Sequence, residues 1–175
     1  MNNTKTIFKS LLIMIVAISL FTVSCSKDEG GTKTPTTPTI QKISADNITQ
    51  VLKDLGPLKG TGADANTTMV DFSNINPQNG SADISGANQS FAKVKTALTT
   101  VFATPQTILT VTTDLASKQK PGTAKEELNV ELTFKAKSGF EFDTTITDNS
   151  KYIYNNTDKT AKLTLKITPS AAWQN

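Results

Sequence analysis

Histidine and arginine are absent from the 175 residues, and cysteine occurs once, at Cys25. Without an imidazole there is no ordinary general base near neutral pH, no Ser-His-Asp triad and no imidazole metal ligand. Without a guanidinium there is no bidentate clamp for a carboxylate or phosphate. A single cysteine rules out an internal disulfide. Aromatic residues are only 6% of the chain: eight phenylalanines, two tyrosines and one tryptophan. The core must therefore be largely aliphatic. These gaps weigh against an enzyme and leave only carboxylates, lysines, hydroxyls and phenols for any chemistry.

Threonine is the abundant residue, with 29 copies. Its branched β-carbon restricts χ1 in a helix, so this composition favours strands and loops. All 18 basic residues are lysines, set against 15 acids. A length of 175 residues is that of one ordinary domain plus short extensions.

The first 24 residues have a composition of their own. Lys5 and Lys9 lie in a stretch without acids, Leu11 to Ile18 is an unbroken apolar run, and Leu20, Phe21 and Val23 extend it. A membrane-spanning helix needs about 20 apolar residues; this shorter run matches the apolar core of a secretory signal peptide. Thr22-Val23-Ser24 then leads into Cys25. The order basic, apolar, small, cysteine resembles a bacterial lipoprotein signal peptide, although the commonest residue three before the cysteine is leucine, not threonine. The resemblance implies a diacylglyceryl thioether on Cys25, cleavage just before it, and an acylated new amino terminus of the palmitoyl type. It also accounts for the sole cysteine, because an exposed unpaired thiol is a liability in a secreted protein. Ser26-Lys27-Asp28-Glu29 resembles the surface-export signal of some bacterial lipoproteins. The expected address is the cell membrane or outer membrane, with the cell surface as the further step.

Residues 26–39 contain no large apolar side chain and include Gly30, Gly31, Pro35 and Pro38. They read as a tether that could span on the order of 40 Å at about 3.1 Å per residue. The expected organisation is a signal peptide over 1–24, a lipidated cysteine with tether over 25–39, and one globular domain over 40–175. From Cys25 onward, sixteen lysines face fifteen acids, a net charge of +1. Such a balance lacks the electrostatic footprint of a nucleic-acid partner.

Within 40–175, Ile48, Val51, Leu52 and Leu55 recur at helical spacing, which predicts a helix over 45–55. Ser44 can cap it, and Gly56-Pro57 stops it. Phe91, Val94, Leu98, Val101 and Phe102 predict a second helix over 89–103. Strict alternation in "LNVELTFKA" (128–136) and "AKLTLKITP" (161–169) predicts two strands, each with one apolar and one polar face. Shorter strands are expected at 67–73 and 107–113, and a short one around Ile153. Asn79-Gly80 and its surroundings read as turns. The fold class is α+β: two amphipathic helices packed on an antiparallel sheet of four to six strands. An immunoglobulin-like sandwich for 106–168 is the alternative. "ISADNITQVLKDLG" and "ELNVELTFKAKSGFEFD" resemble the lipoprotein-associated domain of bacterial surface lipoproteins, which carries no catalytic residue over.

Carboxylates pair in sequence at Glu126-Glu127 and at Glu141 and Asp143. A glycosidase needs two acids placed across a cleft, and this spacing suggests solvated acids. The oxygen-rich runs 148–150 and 155–158 lack the spacing of a calcium loop and read as turns. No cofactor, metal or catalytic residue is expected. Tyr152, Tyr154 and Trp173, the only aromatics besides phenylalanine, are the candidate binding surface. Trp173 has a competing reading, in which it docks and pins the last strand. The expected role is a lipid-anchored interaction or structural module with a protein or host-surface partner. A small carboxylate enzyme or a ligand-binding lipoprotein is the competing class.

Overall fold

The computed structural model describes residues 39–87, 90–122 and 124–175. In chain order these form β1 (Gln41–Ile43), α1 (Ala45–Lys53), β2 (Pro57–Lys59), β3 (Thr68–Asp71), β4 (Ser81–Gly86), α2 (Phe91–Phe102), β5 (Leu109–Thr113), β6 (Leu128–Ala136), β7 (Phe140–Phe142), α3 (Thr144–Thr147), β8 (Ile153–Asn155) and β9 (Thr160–Pro169). The class is α+β.

Ser44 starts α1 through a capping box. Its hydroxyl accepts from the Asn47 N–H at 3.2 Å, and the Asn47 side chain accepts from the Ser44 N–H at 2.8 Å. Gly56, at φ +58°, turns the chain out of the helix. Ile48 and Leu52 are buried from α1; Val94, Leu98 and Phe102 are buried from α2. They join the inward residues of the sheet in one apolar cluster.

The main sheet has seven strands in the order β2-β3-β4-β9-β6-β5, with β8 also paired to β9. It is mixed, where an antiparallel sheet of four to six strands was expected: β4 runs parallel to β9. One edge of the ten-residue β9 has two partners, β8 opposite residues 160–162 and β4 opposite residues 164–169. Gly80 sits at the junction, where a Cβ would come within 3.0 Å of Ile153. Four of the five strands of the C-terminal half, β5, β6, β8 and β9, lie in this sheet together with β2, β3 and β4. A separate parallel pair joins β1 to β7.

The alternation seen in the sequence is the alternation of burial. Val130, Leu132 and Phe134 of β6 lie opposite Leu165, Leu163 and Ala161 of β9, all fully buried. On the other side of the same strands, Thr112, Thr133, Lys162 and Ile153 form one row across β5, β6, β9 and β8. Ile153 is 63% exposed in that polar row. Among the described residues every buried side-chain polar atom has a hydrogen-bond partner, and all belong to one compact unit.

Candidate functional site

The three aromatics singled out by composition have three different environments. Tyr152 is 2% exposed and packs edge-on against Phe134, with ring centres 6.1 Å apart. Its hydroxyl donates to the Ala45 carbonyl at 3.3 Å and lies 3.3 Å from the Thr49 hydroxyl. Burial pushes the phenol up to about 12; the Thr49 hydrogen bond opposes this, and the negative charge of Asp46 adds to it. Tyr152 therefore fastens α1 to the segment between α3 and β8.

Trp173 is 6% exposed and packs edge-on against Phe91 at 6.1 Å. Its indole N–H donates to the Glu126 carbonyl at 2.8 Å. The Phe91 N–H donates to the Gln174 carbonyl at 3.0 Å, so the chain's end is bound to the start of α2. Tyr152 and Trp173 thus do not join Tyr154 in a surface patch. Each has an apolar body with one polar atom, and the core uses both.

Tyr154 is half-buried. Its strand position opposes Ala161, and its ring meets Phe142 edge-on at 6.0 Å. It lines a groove of about 600 Å³ with Phe140, Lys42, Lys135, Glu141 and Lys159. β1 and β7 supply one wall, where Lys42 and Glu141 are register partners and form an ion pair. The end of β6 supplies Lys135. The turn from β8 to β9 supplies Lys159, which adopts φ +53° and donates to the Asn156 side chain at 2.6 Å. Three lysines, two carboxylates (Glu141 and Asp148) and three aromatic rings thus meet in one polar groove. Composition could not reveal it, because it depends on the β1–β7 pairing, which joins residues about 100 positions apart.

The oxygen-rich runs are occupied locally. The Asn155 side-chain oxygen accepts from the N–H groups of Thr157 and Asp158 at 2.9 and 3.1 Å. The Asn149 side chain accepts from the Lys151 N–H at 2.8 Å. Asp143 caps α3, accepting from the Thr145 N–H at 2.8 Å, while the Thr145 hydroxyl accepts from the Ala45 N–H at 2.7 Å. Among the described residues no three acids gather as a metal site. No helix of those residues is long and apolar enough to cross a membrane. Cys25, the expected lipidation site, lies outside the described residues.

No family model, curated protein or solved structure matches this chain.

Proposed function

We propose that this chain is a bacterial lipoprotein, held on a bilayer through acylated Cys25, whose domain serves as an interaction module on the cell surface or facing the periplasm. The observation that carries the reading is the order of residues around the sole cysteine: Lys5 and Lys9, the apolar run from Leu11, small Ser24, then Cys25 and a polar tether. Two or three acyl chains would hold it stably, because each buried methylene adds about 0.8 kcal/mol. The likeness to the lipoprotein-associated domain belongs to the same proposal. So does the finer arrangement of the fold, with α1 and α2 on one face of the sheet and the threonine- and lysine-rich face open.

In this reading the partner meets the Tyr154 groove. A half-buried ring beside lysines suits a protein or glycan surface that has both apolar and anionic groups. Protease shaving of intact cells tests exposure. Release of peptides from residues 40–175 places the domain on the surface. Release only after permeabilisation places it in the periplasm.

No catalytic role and no nucleic-acid partner are part of this proposal. A purified chain that hydrolyses generic ester, glycoside or peptide substrates, and loses that activity on substitution of Glu126, Glu127, Glu141 or Asp143, would move the carboxylate-enzyme reading ahead of it. The ligand-binding variant of the lipoprotein reading has one observation in its favour, a second groove on α2.

A further inference from the structure

The outer flank of α2 has a composition that reads as polar and a surface that is not. Thr96, Thr100 and Thr104 follow Ala92 at four-residue intervals, a ridge along the helix. Each threonine hydroxyl donates to the carbonyl four residues back, at 2.9, 3.0 and 3.3 Å. Their protons are thus committed to the helix backbone, and the ridge offers a ligand chiefly methyl carbon. Ala97 and Val101 continue this apolar wall.

Across from it stand Leu58 of β2 and, at the base, Met69 of β3, which is 2% exposed. Between the walls lies a groove of about 600 Å³, the size of a small-molecule site. One ion pair bridges the walls: Lys93 of α2 meets Asp64, in the one-turn 3-10 helix Gly62–Asp64 on the opposite wall. The ion pair is solvent-accessible, with the Lys93 side chain 54% exposed, and adds little to the stability of the groove. At its β2 end stands Lys59, which donates to the Thr68 hydroxyl at 2.9 Å and forms no ion pair among the described residues. The Asp71 carboxyl on the facing strand is held below the usual carboxylate range chiefly by hydrogen bonds from Ser73, with a smaller contribution from the Lys59 charge.

We propose that this groove is a binding site for a small amphiphile, an unbranched acyl chain with one anionic end. The chain lies along the methyl ridge of α2, and the anion meets Lys59. The site is separate from the Tyr154 groove and does not depend on lipidation at Cys25.

The test uses the full-length chain isolated from its cells and a dodecanoate bearing a diazirine near its methyl end. After photolysis, crosslinked peptides are mapped by mass spectrometry. The expected result is labelling concentrated on peptides spanning 58–69 and 91–104, several-fold above labelling by the matching dodecanol probe. Thr100→Trp, an exposed position on the ridge, should fill the groove and abolish that labelling while the melting temperature is kept. Lys59→Gln should keep the labelling and erase the preference for the acid over the alcohol. Labelling spread evenly over the surface, or labelling of α2 unchanged by Thr100→Trp in a folded protein, would overturn the assignment. Equal labelling by acid and alcohol in the unsubstituted chain would overturn the anionic end.

Discussion

The Trp173 indole donates to the Glu126 carbonyl over 2.8 Å, joining the third residue from the chain's end to the segment that enters β6. This contact and the ring contact with Phe91 make the terminus part of the core. Trp173→Ala should cost about 3 kcal/mol. Trp173→Phe keeps an apolar ring and removes the indole hydrogen bond, and should cost about 1 kcal/mol. Urea unfolding checks both. Equal stability of all three chains would show that the terminus is not docked.

Leu132 and Glu131 are neighbours on opposite faces of β6. Leu132 is fully buried between Thr113 of β5 and Leu163 of β9. Leu132→Asp places a carboxylate where no partner exists, and should destabilise by more than about 4 kcal/mol. Glu131 pairs with Lys162 at 2.8 Å, with both side chains half-buried at the sheet's solvent face. Glu131→Ala should cost about 1 kcal/mol or less. Similar melting temperatures for the two variants would contradict the assignment of the faces.

That strand was legible because alternation needs no tertiary information: one slip of register would expose the whole apolar set. Helices α1 and α2 were legible from periodicity, and α1 from its Ser44 cap as well, to within two residues at each end, whereas the one-turn α3 was not expected. β4 was not. "SADISG" has two serines, an aspartate and a glycine where a strand usually has branched or aromatic residues. It is extended because Ala82, Ile84 and Gly86 face the core and β9 supplies a parallel partner about 80 residues away. The same non-locality hid the β1–β7 pair, and so the Tyr154 groove. The burial of Tyr152 was hidden for a different reason, and that of Trp173 was legible only as one of two readings, the docked one that the structure bears out. An amphipathic ring suits a wet surface or a satisfied core position equally, and only the partner atoms decide. The groove on α2 escaped because threonine reads as polar until its hydroxyl is seen bonded to its own helix.

Tyr152 makes stability depend on alkaline pH. Its phenol titrates near 10.0 in the unfolded chain and near 12 when folded. The raised value means that this contribution is fully present below pH 10 and is lost as the pH climbs through 12, because the unfolded chain releases its proton first. The loss is on the order of 3 kcal/mol. Tyr152→Phe lacks this loss. It should be about 1 kcal/mol less stable than the parent at pH 7 and should overtake it between pH 10 and 12. Parallel stability curves across that window would contradict the buried, neutral phenol.

Gly60 and Gly122 should respond oppositely to alanine. A Cβ on Gly60 would lie 2.5 Å from the Asp64 Cβ and 2.7 Å from its carbonyl oxygen, and would also press on the Met69 methyl group. Gly60→Ala must move the hairpin and should cost about 1–3 kcal/mol. Gly122 has open space around it and a backbone that accepts a side chain. Gly122→Ala should be neutral or stabilising by up to about 1 kcal/mol. Thermal melts of the two variants check the contrast, and a neutral Gly60→Ala would show that the hairpin is loosely packed there.

Cys25→Ser in the full-length chain tests the account most directly, read by incorporation of radioactive fatty acid and by partition between membrane and buffer. The parent chain should take up label and sediment with membranes. The serine variant should take up none and leave the membranes in detergent-free buffer. A serine variant that stays in the membrane would mean that the apolar run from Leu11 anchors the chain uncleaved, and a parent that takes up no label would contradict the lipoprotein reading outright.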